Sequence, residues 1–366
     1  MIPAGLISQQ GNSVAPSTQW IGINGHYASQ DPYRNNSEFS FDWQADAIQT
    51  MGFNSTRTDI LAEADGTISN SGASGFRWAR LLGTSGDATY GDTGMYTKLK
   101  ARNIKLLVML YDRLFNGDPE TYPWLDMTDQ EMFDAGYLMA NGFVTNYKEA
   151  LDLEYLELGN EWELFRDIKT GPPGTGSSQY NLDRVRARFY TAGMNAGAKA
   201  AMPTIKTIFN TAGYLPTWWM DQVLNQAVIS GGVEIDVVGW HWYSEMQPLI
   251  KGGQLPTSPL MPHSGSEYTN ITDALFDMWG KPVWYTEFGY RWDRNGKTQA
   301  ENEADQVAMH NEFTAQCIGD PRIVGISTHE LLDTIRNGTA HTSVEENYGL
   351  VGYNDFNNVG YSQPFI

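Results

Sequence analysis

Residues 104–163 read IKLLVMLYDRLFNGDPETYPWLDMTDQEMFDAGYLMANGFVTNYKEALDLEYLELGNEWE. Their opening IKLLVMLYD (104–112) is a continuous apolar run, the pattern of a strand covered on both faces. Residues 129–149 carry helical spacing, and LEYLELGNEWE (153–163) is a second strand-like run. A strand, a helix long enough to cross over and another strand make a parallel pair, because parallel neighbours need crossovers of a dozen or more residues.

The same unit repeats in both directions. Upstream, WIGINGHY (20–27) predicts a first strand, WQADAIQTM (43–51) a helix, GFNSTRTD (52–59) a second strand ending at Arg57 and Asp59, and 94–102 a helix. Downstream, helices at 181–202, 217–229, 271–279 and 301–316 alternate with strands IKTIFNTAG (205–213), IDVVGWHWYS (235–244), PVWYTEFGYR (282–291) and RIVGISTHELLD (322–333). Eight strand–helix units predict an α/β chain closed into a single (β/α)8 TIM barrel. No G-x-G-x-x-G follows the first strand, which weighs against an open dinucleotide-binding sheet. The expected organisation is one catalytic domain over 1–366, with an irregular segment 1–19 and a tail 334–366 packed on it. Gly/Ser/Asp-rich or long segments at 60–93, 112–128 and 244–270 are expected to wall a site.

Composition narrows the partners. With 24 Lys and Arg against 43 Asp and Glu, the net charge of −19 repels phosphate backbones and anionic membrane surfaces, so no nucleic-acid partner is expected. No run of about 18 apolar residues offers a membrane span. The single Cys317 excludes an internal disulfide framework, and six scattered His without an H-E-x-x-H spacing give no metal motif. No cofactor is expected, and a monomer is. Residues 1–20 lack a basic and apolar leader; the lysine-poor, Ser/Thr/Asn/Gly-rich composition nonetheless leans toward a secreted or periplasmic protein.

Catalytic groups of such barrels sit at the C-terminal ends of the strands. Strand four ends in Gly159-Asn160-Glu161-Trp162-Glu163, strand six in His241-Trp242-Tyr243, and strand seven in Thr286-Glu287-Phe288-Gly289. Two carboxyls facing one pocket are what glycosidic hydrolysis requires: one protonates the departing oxygen, and the other attacks carbon or activates water. An isolated Asn-Glu after a strand is more often the start of a capped helix, and a barrel-rim arginine is often a plain salt-bridge partner, so the weight lies on the set. Glu157 and Glu163 are the local rivals of Glu161, the first within the strand run and the second at or beyond the rim.

The Asn-Glu after strand four, the H-x-Y of strand six and the E-F-G of strand seven resemble the clan A retaining glycoside hydrolases, with families 39 and 5 nearest in feel. The resemblance spans nearly the whole barrel. It implies that Glu161 is the acid/base, Glu287 the nucleophile, and Asn160 a ligand of the substrate 2-hydroxyl. Arg57 looks like the clan's strand-two arginine, which holds the nucleophile ionised. Tyr243 matches the tyrosine that donates to the nucleophile, and His241 the histidine beside it. The clan often places a Trp at the end of strand eight, where this chain has Ile326-Ser327-Thr328-His329-Glu330. His329 and Glu330 either bind a polar sugar or pair with each other. His26 is a candidate for a sugar hydroxyl. Among the many aromatic residues, Trp124, Trp242 and Trp292 are candidate sugar platforms, with Tyr27, Trp78, Trp162, Trp218 and Tyr290 beside them. The expected substrate is a β-linked oligosaccharide or polysaccharide cut internally; an exo-acting glycosidase and a non-catalytic carbohydrate-binding barrel are the rivals.

Overall fold

The computed structural model describes residues 19–25, 40–68, 82, 94–112, 123–170, 176–212, 217–224, 234–243, 271–290 and 297–331, and the backbone of 351–355 and 360–364. Eight parallel strands form a closed barrel in sequence order: β1 (Trp20–Asn24), β2 (Ser55–Ala62), β3 (Lys105–Asp112), β4 (Tyr155–Glu157), β5 (Lys206–Thr211), β6 (Val237–Tyr243), β7 (Val283–Gly289) and β8 (Ile323–Thr328). Closure is made by β8 on β1, with Gly325 beside Trp20 and Ser327 beside Gly22. The expected barrel is therefore present.

The outer layer is built from α1 (Phe41–Thr50), α2 (Met95–Ala101), α3 (Asp129–Tyr147), the short α4 (Trp162–Phe165), α5 (Leu182–Val185), α6 (Ala187–Ala201), α7 (Thr217–Leu224), α8 (Ile271–Trp279) and α9 (Gln299–Cys317). The two 19-residue helices α3 and α9 begin on capping boxes, Thr128 with Glu131 and Thr298 with Glu301, which satisfy amide groups that no intrahelical carbonyl reaches. No helix among the described residues is long and apolar enough to cross a membrane.

Element boundaries differ from expectation in several places; the helix expected over 181–202 is two, α5 and α6, and three further differences stand out. Strand β2 runs on to Ala62 instead of stopping at Asp59, because Ile60, Leu61 and Ala62 remain buried. Strand β4 ends at Glu157, and the Asn-Glu that follows belongs to a turn with Glu161 at the N-cap of α4. The C-terminal segment contains an antiparallel pair, β9 (Val351–Asp355) and β10 (Gly360–Pro364).

Inside the barrel, alternate residues of each strand face the axis. At the N-terminal end these are apolar: Trp20, Leu107, Ile208, Val237 and Trp284 form one cluster, with Tyr155 packed against it. Their rings meet edge to face, Trp20 with Tyr155 at 5.2 Å, Trp20 with Trp284 at 5.4 Å and Tyr155 with Trp284 at 5.0 Å. Gly325 makes room for this plug, since a Cβ there would stand 2.3 Å from the Trp284 ring.

Candidate active site

Moving along the same inward columns toward the C-terminal mouth, the side chains change from apolar to ionic. Arg57 on β2 is the hub. Its Nε donates to Glu157 at 2.5 Å, Nη1 to Glu287 at 2.7 Å and Nη2 to the Asn160 Oδ1 at 2.6 Å. Guanidinium and carboxylates are almost wholly removed from solvent. Burial disfavours the arginine charge, but Glu157 and Glu287 more than offset this and raise its pKa.

Glu287 reaches the axis because β7 is irregular. Between β6 and β7 the pairing steps from Gly239 beside Trp284 to His241 beside Glu287, so three residues on β7 match two on β6. Strict alternation from Trp284 would send Glu287 toward the helices. The extra residue re-aims it inward, as bulges beside active sites do, while Tyr285 and Phe288 pack outward on Phe313 of α9.

Around Glu287, Tyr243 donates a short hydrogen bond to Oε2, and the His241 Nδ1 lies 3.3 Å from the same oxygen. Burial raises the Glu287 pKa; the charges of His241, Arg57 and His329 and the Tyr243 hydrogen bond outweigh it and hold the carboxyl well below the ordinary range. The same His241 Nδ1 stands 2.7 Å from Glu161 Oε1. Burial opposes the imidazolium, but the two carboxyls raise the His241 pKa overall. Facing donor atoms of Glu161, His241 and Glu287 all lie within 4.8 Å of one another. Three such donors are a spacing that a divalent cation can also use, and the hydrogen bonds between them account for the arrangement by themselves.

Glu161 has φ 44° and ψ 46°, the left-handed region that side chains rarely adopt. Such a conformation costs on the order of 1–3 kcal/mol and persists only where surrounding structure imposes it. Preceding it, Gly159 has φ 84°, and a Cβ there would overlap the Trp162 indole at 1.6 Å. Asn210 of β5 supports the turn: its Oδ1 accepts from the Glu161 N–H at 2.9 Å, and its Nδ2 donates to Glu157 at 2.6 Å and to the Gly159 carbonyl at 2.8 Å. The Glu161 carboxyl keeps 15% side-chain exposure against 8% for Glu287, so it is the more open of the two to a ligand and to water.

Asn160, Glu161, His241, Tyr243, Arg57 and Glu287 thus meet at one end of the barrel. His329 joins them: its ring sits edge-on to Tyr243 at 5.8 Å, and its Nδ1 is 3.3 Å from Asn24 Nδ2. Burial, opposed by Glu287, pulls its pKa down to about 4, so it is neutral near pH 7. The peptide bond between His329 and Glu330 is cis. Glu330 is fully buried 3.9 Å from the His329 ring, which corrects its place as a sugar ligand and fits the other expected reading, a pairing of the two.

Trp124 and Trp242 are corrected as well. Both are fully buried in the main hydrophobic core. Trp242 alternates with the inward-facing His241 and Tyr243, so its ring is on the helix side, and neither tryptophan shows a free face. Trp162 likewise packs on Tyr190 at 5.7 Å. His26, Tyr27, Trp78 and Trp292 lie outside the described residues, as do most of the three long segments. Asn210, next to last in β5, is the site residue that strand-end motifs do not reveal, and Glu157, the last residue of β4, enters the sequence reading only as a rival of Glu161 and not as a partner of Arg57.

No family model and no curated protein matches this sequence. Solved structures do match in fold. The Ignisphaera aggregans GH53 catalytic domain aligns with TM-score 0.54 at 16% identity over 93% of each chain. The family 1 β-glucosidase from Thermotoga maritima aligns at 0.55 with 13% identity, covering 94% of this chain and 95% of its own. Virulence factor SghA in complex with its substrate analog salicin gives 0.56 at 13% identity over 94% and 93%. At such identities the likeness establishes a barrel shared with glycoside hydrolases of several families, and the chemistry must be argued from the site.

Proposed function

We propose that the chain is a retaining β-glycoside hydrolase that acts by double displacement without a cofactor. The observation that carries this reading is the pair of carboxyls at the barrel mouth, with facing oxygens within 4.8 Å across His241 and only one of them, Glu287, held by an arginine. Retaining enzymes keep their carboxyls about 5 Å apart, whereas inversion needs roughly 6.5–9.5 Å to seat a water.

Glu287 is the nucleophile in this reading. Arg57 and Tyr243 keep it ionised, and each oxygen retains a lone pair with which to attack the anomeric carbon. Glu161 gives its proton to the departing glycosidic oxygen and, once charged, takes a proton from the water that breaks the glycosyl-enzyme. The Asn160 carbonyl oxygen is occupied by Arg57, which leaves its NH2 as the end that can donate to a sugar hydroxyl. Neutral His329, at the end of β8, offers a polar edge to the sugar being cleaved. The likeness to an enzyme solved with salicin supports a β-linked substrate. Neighbours titled β-glucosidase and endo-β-1,4-xylanase share the fold; internal cleavage of a polysaccharide is favoured by the lengths of segments 60–93, 112–128 and 244–270. The lysine-poor composition supports work outside the cytoplasm, as a monomer. Incubation with β-glucans, xylans, mannans and bacterial exopolysaccharides, with product anomers followed by NMR, tests the reading: a β-anomer formed first supports it, and an α-anomer formed first overturns retention.

A further inference from the structure

The turn that carries Glu161 is tied to β5 in both directions. Asn210 of β5 accepts from the backbone N–H of Glu161 at 2.9 Å, and two residues later Glu163 accepts from the backbone N–H of Ala212 at 2.5 Å. Side chain to backbone and backbone to side chain, the two bonds bracket the acid/base residue. Both side chains are almost wholly buried, so water does not compete for these contacts. Neither is placed to touch a substrate. Asn210 spends its amide on Glu157 and on the Gly159 carbonyl, and the second oxygen of Glu163 is buried without a partner among the described residues.

We propose that Asn210 and Glu163 form a reciprocal clamp that positions Glu161 for proton transfer, acting on the leaving-group step and not on attack by Glu287. This rests on the assignment of Glu161 as acid/base. The reason for a clamp is the backbone: Glu161 sits at φ 44° within the turn that follows β4, and a left-handed residue left to itself relaxes. Burial pushes Glu163 up to about 8, the Ala212 N–H opposing and the Glu161 charge adding, so near neutral pH it is an uncharged acceptor. Glutamine therefore imitates it. Arg57 holds Glu287 and meets the clamp through Glu157, which also accepts from Asn210; Glu163 lies off that chain, so Glu163→Leu separates the clamp from the support of Glu287.

The test compares 2,4-dinitrophenyl and phenyl β-glycosides of glucose, xylose, galactose, mannose and cellobiose, with azide present so that breakdown of the glycosyl-enzyme is not limiting. Dinitrophenolate leaves without a proton; phenolate needs one. Wild type and Glu161→Ala are measured first: hydrolysis by wild type, with Glu161→Ala losing phenyl substrate selectively, establishes the acid/base. No hydrolysis, or equal loss on both substrates, ends that reading before the clamp is examined. Asn210→Ala and Glu163→Leu should then lose on the order of 10²-fold more on phenyl than on dinitrophenyl glycosides, the cost of about 1 Å of misplacement. Glu163→Gln should stay within about threefold of wild type on both. Loss shared equally by both substrates, or no loss, overturns the clamp. Thermal unfolding accompanies each variant; if Asn210→Ala does not fold, Asn210→Ser supplies the same comparison with a smaller space opened, and Glu163→Leu against Glu163→Gln decides independently.

Discussion

The two ends of the barrel interior are made from the same strand columns and obey opposite rules. On β4 the column runs from Tyr155 to Glu157, on β5 from Ile208 to Asn210, and on β7 from Trp284 to Glu287. At the bottom, edge-to-face rings and aliphatic side chains are taken from water, which favours folding at about 25 cal/mol per Å² of apolar surface. At the mouth, one arginine and two carboxyls are buried, a costly act that ion pairing offsets only when geometry and hydrogen bonding are good. The bottom secures the closed ring. The mouth uses that rigidity to hold charges where an unfolded or looser chain would hydrate them.

The largest effect that bears on this division is expected at Glu287. In the proposed mechanism Glu287→Ala removes the nucleophile and should lower kcat on every glycoside by roughly 10⁴-fold or more. The protein should still fold, because Arg57 keeps Glu157 and Asn160. Azide attacking from the vacated face should yield an α-glycosyl azide, whereas the Glu161→Ala variant should yield the β-azide; NMR of the two products checks both assignments, and exchanged anomers would reverse them. Trp284→Ala should do the converse. Losing a buried tryptophan costs about 3–5 kcal/mol of stability, read by urea unfolding, with kcat of the folded fraction little changed. A collapse of kcat at full stability would show that the plug and the mouth are one unit.

How far this division can be read without coordinates depends on the kind of signal. Apolar strands separated by helical segments announce the barrel, and strand-end position singles out Asn160, Glu161, His241, Tyr243 and Glu287 as candidates without saying which way Glu287 turns. The β7 bulge sets that: period two starting from Trp284 places Thr286 and Phe288 inside, and an extra residue leaves no mark in composition. Asn210 and the role of Glu157 are hidden for a related reason, since a polar residue in a strand looks alike whether it faces water or an arginine. Trp124 and Trp242 mislead in the opposite sense. A tryptophan near a strand end is as well used to cover helix–strand packing as to stack on sugar, and only burial separates the two.

Acid stability offers a way to separate the mouth from the rest. His310 of α9, packed edge-on to Phe288, is pulled by burial from 6.5 down to about 4. A depressed folded pKa gives stability that is complete above pH 6.5 and lost as the pH falls toward 4, about 3 kcal/mol by linkage. Glu287 is depressed below its usual 4.5, so its share is lost only in more acid solution. Glu163, raised to about 8, works in the opposite sense, losing stability as the pH rises from 4.5 toward 8. The difference in unfolding free energy between wild type and His310→Leu should therefore shift by about 3 kcal/mol between pH 7 and pH 4, while that between wild type and Glu163→Leu should shift in the opposite sense between pH 4.5 and 8. A constant difference across this range would place the acid loss elsewhere.

The smallest expected effect tests whether the mouth's hydrogen bonds serve charge or packing. Tyr243 donates to the Glu287 Oε2, and Tyr243→Phe removes that hydroxyl while keeping the ring against His329. A hydrogen bond to a charged group is worth about 1.5–3 kcal/mol, and it favours only the ionised form of Glu287. Its loss must raise the Glu287 pKa. Because attack in the proposed mechanism requires the carboxylate, the acid limb of kcat/KM should move to higher pH. At the pH optimum kcat/KM should fall by roughly 10-fold, since Arg57 and His241 still hold most of the charge. Unfolding free energy should change little. A profile that keeps its acid limb while stability falls would make Tyr243 a packing residue that caps the charged layer instead of a part of it.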